Sequence, residues 1–384
     1  MIKVCIVIAS RANYGRIKSA MEAIKNHPEL TLQLVVGAST LLTRFGKAID
    51  IIKKDGFHVD SEIHYVVEGE NLITQAKTTG LGIIELATTF QQLKPDYIIT
   101  VADRYETMAT AIASTYMNIP LIHIQGGELS GNIDDRVRHS ITKLADIHCV
   151  STKQSKERVI NMGENPNSVF NVGCPSIDIA LNSDLTINNE LMKQYYGTGD
   201  SINWEKPYLL LLQHPVTTSF GKGLEQITTS LEALKAFENY QKIVLWPNND
   251  AGSDDVSKGI RLFKEETQNK NLKFHYFRNF SPTDYSKVLG NASCCIGNSS
   301  SFIRDGDALG VPAVIVGDRQ LNREIGKNVM LSDYSIKTIK SSIKKQLDHG
   351  KYPQSTRYGD GNAGKNIANI IPTIKPSKNK TYKI

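Results

Sequence analysis

Between His123 and His139 the chain sets three carboxylates (Glu128, Asp134, Asp135), two arginines (Arg136, Arg138) and two histidines around the glycine pair Gly126 and Gly127. Acids and histidines can move protons, and guanidinium groups can neutralise a departing anion. The glycines let backbone approach a ligand closely, and an apolar run at 119–122 leads directly into them. A loop leaving the carboxyl end of a buried strand is where α/β proteins place their chemistry. The same residues also suit an ordinary helix start, because Asp134 and Asp135 favour a first helical turn.

Other segments repeat this arrangement. Arg11 and Arg16 follow the first apolar run in a strand-to-helix turn, a position that suits an anion. The turn lacks the glycine-rich dinucleotide fingerprint, so no nicotinamide cofactor is expected. Asp103 and Arg104 end another run, where Asp103 can either face a cleft or cap the next helix. In the second half His214 closes a run, and Pro247, Asn248, Asn249 and Asp250 close the next. Gly297, Asn298, Ser299, Ser300 and Ser301 lead into a helix whose hydroxyls and free N–H groups could cradle a diphosphate or simply cap the helix. Asp305, one turn further on, could accept hydrogen bonds from ribose hydroxyls. Arg319 and Arg323 could neutralise charge nearby.

These residues need a scaffold that brings strand ends together. Buried strands are predicted at 4–9, 32–37, 97–101, 121–124, 147–151 and 169–172, with helices at 17–25, 39–54, 72–93, 105–117, 134–144 and 153–162. Continuous apolar strands alternating with helices imply parallel sheets covered on both faces. A polar stretch at 182–206 breaks the rhythm, which restarts with strands at 208–212, 243–246, 272–276, 293–296 and 313–316. Helices are expected there at 223–237, 253–267, 283–289 and 302–309, and a last one at 364–371 is expected to pack back on the body. The fold class is therefore α/β, with two Rossmann-like doubly wound domains facing a central cleft. The boundaries read as 1–180, a linker region at 181–206, 207–363, and a helix with basic tail at 364–384.

A chain of 384 residues favours two domains over one core, and 40% hydrophobic with 22% charged residues fits a soluble globular protein. Lys375, Lys378, Lys380 and Lys383 account for +4 of the net charge of +6. The body is then near neutral, which argues against a nucleic-acid surface, and the tail is expected to be disordered and solvated. Five scattered cysteines without Cys-x-x-Cys spacing point to a reducing cytoplasm, and no run of about 18 apolar residues supports a membrane span. No metal site is expected.

Taken together, segments 126–139, 213–218, 247–253, 297–300 and 317–323 resemble, in order and spacing, the hydrolysing UDP-N-acetylglucosamine 2-epimerases that open sialic-acid and related nonulosonic-acid pathways. The similarity runs to Tyr358–Ala363. It implies the glycosyltransferase-B fold with the active site between the domains, a UDP-sugar as substrate, no cofactor, and a homodimer or homotetramer. It also implies a reaction: a base removes the C2 proton while UDP leaves C1, and water adds to the resulting glycal. On this resemblance Asp103, Asp134, Asp135, His214, Gln125 and Arg138 fall at catalytic positions. Arg11, Arg16, Arg104, Ser299, Ser300, Asp305 and Arg319 fall at substrate-binding positions. Three departures stand out: Gln125 replaces a glutamate implicated in proton transfer, Val101-Ala102 replaces His-Gly before Asp103-Arg104, and Asp305 replaces a glutamate. An amide does no acid–base chemistry, so Gln125 can only orient or hydrogen-bond a substrate. The departures suggest a modified sugar pocket, with a UDP-2,4-diacetamido-trideoxyhexose of legionaminic type as the alternative substrate. A non-hydrolysing epimerase and a catalytically silent nucleotide-sugar sensor stay open at this point.

Overall fold

Alternate residues of the first strand face two different cores. In β1 (Ile2–Ile8), Val4, Ile6 and Ile8 join one apolar cluster with Ile17, Met21 and Ile24 of α1 (Arg11–Lys25). Cys5 and Val7 join another with Leu86 and Phe90 of α3 (Leu72–Leu93). Burial on both faces is why the strand reads as an unbroken apolar run. The computed structural model describes residues 1–384 except 70, 132, 249, 377–379 and 381–384. Asn249, Lys378 and Lys383, named above, lie outside the described residues.

Two compact units emerge. The first comprises the described residues of Met1–Leu129, Ile133–Ile179 and the segment from Tyr358 onward; the second comprises those of Ala180–Arg357 together with Ser130 and Gly131. The first unit contains β2 (Leu30–Gly37), α2 (Ala48–Lys54), β3 (Ser61–Ile63), β4 (Tyr97–Val101), α4 (Tyr105–Tyr116), β5 (Leu121–Ile124) and α5 (Ile133–Leu144). It continues with β6 (Ile147–Val150), α6 (Lys153–Asn161), β7 (Val169–Asn171) and α7, which starts at Pro175. Its seven strands are all parallel in the order β3-β2-β1-β4-β5-β6-β7.

The second unit contains α8 (Asn189–Met192), β8 (Thr198–Gly199), β9 (Tyr208–Leu212), α9 (Gly223–Leu234), β10 (Gln241–Leu245), α10 (Ser253–Thr267), β11 (Phe274–Phe277) and α11 (Pro282–Gly290). There follow β12 (Cys294–Gly297), α12 (Ser300–Leu309), β13 (Ala313–Val316), β14 (Val329–Ser332) and α13 (Ile336–His349). Its sheet runs β14-β13-β12-β9-β10-β11-β8, parallel except for the edge strand β8. Each sheet reverses its winding beside its first strand, between β1 and β4 in one and between β9 and β12 in the other. Loops at the carboxyl ends of strands at such a reversal form a crevice in doubly wound folds.

Several expectations need correction. The helix expected over 39–54 is broken into two 3₁₀ turns and α2, because Gly46 and Lys47 adopt left-handed backbone (φ 86° and 40°). Arg11 and Arg16 lie inside α1, which Ser10 caps by accepting from the Asn13 N–H, and not in a turn before it. Strands β3 and β14 and helix α13 were not anticipated; the two strands are short and incompletely buried, so their apolar signal is weak.

The stretch 181–206 is no free linker: β8 pairs with β11, and buried Trp204 packs on Tyr208, Phe277 and Phe280. Residues 358–363 group with the first unit. There the Cys174 N–H donates to the Tyr358 carbonyl at 2.7 Å, and Asp178 accepts from the N–H groups of Ala363 and Gly364 at 2.9 and 2.7 Å. These bonds start α14 (Ala363–Ile370), which packs on α1 so closely that a Cβ at Gly364 would meet the Ser19 carbonyl at 2.5 Å. Among the described residues no helix is long and apolar enough to cross a membrane. All five cysteines are buried.

Lys242 on β10 is buried, and its Nζ donates to the Leu272 carbonyl at 3.0 Å and lies 5.4 Å from the Phe274 ring centre. Burial, then the charge of Lys273, lowers its pKa to about 8. Below that pH the folded protein carries an ill-solvated charge. Between about 8 and the ordinary lysine value the unfolded chain binds more protons, so stability from this site rises with pH. Lys242→Met is therefore expected to raise the melting temperature by a few degrees at pH 7. The gain should shrink as the pH is raised past 8, which calorimetry across pH would check.

Candidate active site

After β4 and β5 of the first unit a non-glycine residue adopts left-handed backbone: Ala102 (φ 67°) and Gln125 (φ 64°). Such conformations cost of order 1 kcal/mol and persist only where the surroundings impose them. The surroundings are visible here. The Ala102 N–H donates to the Ile124 carbonyl at 2.9 Å, and the Gln125 N–H donates to the Cys149 carbonyl at 3.0 Å. His123 is fully buried, and burial lowers its pKa to about 3, so its ring is neutral. Its Nε2 sits 2.9 Å from the Ala102 carbonyl and its Nδ1 3.2 Å from the Thr142 hydroxyl. A carbonyl only accepts, so Nε2 carries the hydrogen and Nδ1 accepts. His123 is thus a scaffold for the turn that presents Asp103.

Asp103 does not cap the following helix; Arg104 occupies that position without a side-chain cap. Asp103 instead bonds to the guanidinium of Arg138, and its other oxygen lies 3.6 Å from Arg16 on α1. Arg138, on α5, is 1% exposed and reaches Asp135 at 2.5 Å and the Glu128 carbonyl at 2.7 Å as well. Burial disfavours its charge, but Asp103, Glu128 and Asp135 outweigh that and hold its pKa above the ordinary arginine value. One buried cation thereby organises carboxylates from three segments. Asp134 sits beside Asp135 in the first turn of α5.

Glu128 was passed over as a site residue by the sequence reasoning, although it is buried and electrostatically coupled to Arg138. Its place in the Gly-Gly-Glu run was the available signal. Arg104 is engaged differently from the other arginines, with both Nε and a terminal nitrogen 3.1 Å from buried Glu106. Gln125 is 1% exposed; its amide donates to the Cys174 sulfur at 2.9 Å, and its Oε1 is buried without a hydrogen-bond partner among the described residues. Arg11 begins α1, the helix that also carries Arg16.

In the second unit Gly297 ends β12 with φ 129°, and a Cβ there would meet the Leu212 carbonyl oxygen at 2.1 Å. Only glycine lets the ends of β9 and β12 approach this closely. The next residue, Asn298, clamps the β9 loop: its side chain accepts from the His214 N–H at 2.7 Å and donates to the His214 carbonyl at 2.9 Å. The Asn248 N–H donates to His214 Nδ1 at 3.2 Å. Nδ1 must offer a lone pair there, so the neutral ring carries its hydrogen on Nε2. His214 is thereby built as a hydrogen-bond donor.

Ser299 is the N-cap of α12, its hydroxyl accepting from the Ser301 N–H, and the Ser300 hydroxyl accepts from buried Arg304 at 2.8 Å. Asp305, in the second turn of the same helix, is buried. Arg319 lies 3.4 Å from the Asn298 carbonyl and 3.8 Å from Asp250. Gln320 donates to the same carbonyl at 3.1 Å and accepts from Arg323 at 2.6 Å. The unit therefore gathers His214, Ser299, Ser300 and Arg319 around one helix start, a geometry that favours anions. Asn298 and Gln320, given no role of their own in the sequence expectations, hold these loops together. Among the described residues no group of three or more His, Cys, Asp or Glu side chains is placed to hold a metal ion.

The family model for UDP-N-acetylglucosamine 2-epimerase matches residues 22–372. The chain is 30% identical to a UDP-N,N'-diacetylbacillosamine 2-epimerase (hydrolyzing) of Legionella pneumophila, covering 97% of this chain and 96% of that protein. It is 32% identical to polysialic acid biosynthesis protein P7 of Escherichia coli, covering 100% and 97%. The crystal structure of UDP-GlcNAc 2-epimerase from Neisseria meningitidis bound to UDP-GlcNAc superposes with a TM-score of 0.79 at 17% identity, over 97% of this chain and 100% of that one, a likeness of fold. The two parallel α/β domains are those of the glycosyltransferase-B fold, and the chain belongs to the UDP-N-acetylglucosamine 2-epimerase family.

Proposed function

We propose that this enzyme is a hydrolysing 2-epimerase acting on a UDP-activated 2-acetamido sugar and releasing UDP and the free 2-epimer. What carries the reading is Asp103 gripped by a buried arginine that also holds Asp135, the two acids set up for proton transfer. A base takes the C2 proton while the C1–O bond breaks and UDP departs, leaving a glycal. Water then adds its hydroxyl to C1 and a proton to C2 from the other face, which inverts C2. Asp103 and the Asp134–Asp135 pair supply the proton transfers, with Arg138 orienting them. Arg11, Arg16 and Arg104 belong to the substrate-facing cations of the first unit. In the second unit Ser299, Ser300 and Arg319 hold the diphosphate, Asp305 the ribose, and His214 donates from Nε2 to the leaving oxygen.

Hydrolysis is favoured over return of the nucleotide because the Legionella relative, similar along the whole chain, is named as hydrolyzing. That name also supports a 2,4-diacetamido-trideoxyhexose over N-acetylglucosamine as the sugar, alongside Gln125 and Val101, where the resemblance leads one to expect a glutamate and a histidine.

The deciding experiment incubates the enzyme with a panel of UDP-hexosamines in D₂O and follows the products by NMR. Free UDP and a free hexosamine labelled at C2 are expected. A 2-epimer still bearing UDP would replace hydrolysis by simple epimerisation, and turnover only after adding a sugar acceptor would make the protein a glycosyltransferase. Nucleotide-sugar binding with no turnover would leave a sensor. On the same assay His214→Ala should lower kcat about a hundredfold, the usual loss for one donor at a developing negative charge, with KM little changed.

A further inference from the structure

The basic segment expected to be solvated contains an anchored residue. Lys380 Nζ donates to Glu164 at 2.8 Å, to the Thr142 carbonyl at 3.4 Å and to the Ala145 carbonyl. Thr142 and Ala145 lie at the carboxyl end of α5, where main-chain carbonyls have no partner within the helix. A lysine there satisfies them and opposes the negative end of the helix dipole. Glu164 is itself a hub: Lys143 of α5 reaches it at 2.6 Å and buried His148 at 3.1 Å. Burial works to raise its pKa, but bonds from His148, Lys143 and Lys380 hold it down to about 2. Upstream, α14 packs on α1 and the Tyr97 hydroxyl donates to the Ile374 carbonyl at 3.0 Å.

We infer that Lys380 is a positioning residue for the reaction: it caps the carboxyl end of the helix whose first turn presents Asp134 and Asp135 and whose next turn presents Arg138. Helix α5 has 12 residues, about 18 Å of rigid rod. Arg138 ties its front end to Asp103, and Lys380 with Glu164 ties its back end to α6 and β6. Freed at the back, the rod can tilt, and a small tilt at the acids misplaces proton transfer without touching groups that hold UDP. The inference rests on the hydrolytic reading for its kinetic consequence but not for the cap itself.

Full-length wild-type, Lys380→Met and Lys380→Arg enzymes would be compared by hydrogen-exchange mass spectrometry and by UDP-hexosamine turnover. In Lys380→Met, amides of residues 141–146 should exchange roughly fivefold faster, in line with loss of a helix-end cation. Its kcat should fall several-fold, with KM and UDP affinity unchanged, and Lys380→Arg should behave as wild type. Unchanged exchange in Lys380→Met would overturn the cap. Faster exchange with unchanged kcat, or a fall in KM and kcat together that Lys380→Arg does not rescue, would overturn the positioning role. If the wild-type enzyme turned over no UDP-hexosamine, the hydrolytic reading would fall, while the exchange measurement would still decide the cap.

Discussion

Asp103→Asn is expected to lower turnover by about three orders of magnitude while leaving UDP affinity within about tenfold of wild type. The substitution is close to isosteric. An asparagine carbonyl can still accept from Arg138, and Arg138 keeps its 2.5 Å contact with Asp135, so the turn after Ala102 has no reason to collapse. What disappears is the ability to take a proton. The prediction separates chemistry from scaffolding, because a purely structural Asp103 would show its loss as a lower melting temperature with proportionate loss of activity. Steady-state kinetics with calorimetric titration of UDP would decide, and near-normal kcat would remove Asp103 from the mechanism.

Arg138→Met should be the most damaging single change to both folding and activity. Arg138 is 1% exposed and serves Asp103, Asp135 and the Glu128 carbonyl at once. Methionine fills much of its volume but strands these carboxylates without their shared cation. Removing one partner of a buried ion pair typically costs about 3–5 kcal/mol. For a protein of this size that corresponds to a fall of about 5 °C in melting temperature. Activity should drop to the level of Asp103→Asn or below. Arg138→Lys should rescue little, since a single ammonium cannot reproduce the planar fork that reaches several acceptors.

A double variant gives the sharper check. With Asp103 already neutralised as asparagine, Arg138→Met should cost clearly less than in the wild-type background, because the two side chains share one interaction. Strict additivity of the two losses would show that the pair is not coupled, and a melting temperature within a degree or two of wild type would mean that Arg138 does not organise the site.

Much of this was legible before folding. The apolar runs at 97–101, 121–124, 208–212 and 313–316 coincide with β4, β5, β9 and β13, because a strand buried on both faces must be continuously apolar. Asp103, His214 and Ser299 were found at strand ends for the same reason: the polar residue that follows such a run marks where the chain leaves the sheet. The pattern failed where local period and tertiary demand part company. β14 is only half buried and so carries little apolar signal, and α2 begins late because Gly46 and Lys47 turn left-handed. Lys380 looked like one more solvated cation, since nothing near it in sequence announces the Glu164 it meets 216 positions away.

Composition and periodicity determined that this is a two-domain α/β chain with acids, histidine and a serine turn at strand ends, and the order of those segments carried the family resemblance. Only the tertiary structure decided which groups meet. Arg138 joins Asp103 across 35 positions, and His214 receives the Asn248 N–H and so keeps its hydrogen on Nε2. The reason is range: burial patterns are written into neighbouring residues, whereas ion pairs and tautomers depend on ångström distances between segments remote in the chain, which no local pattern records.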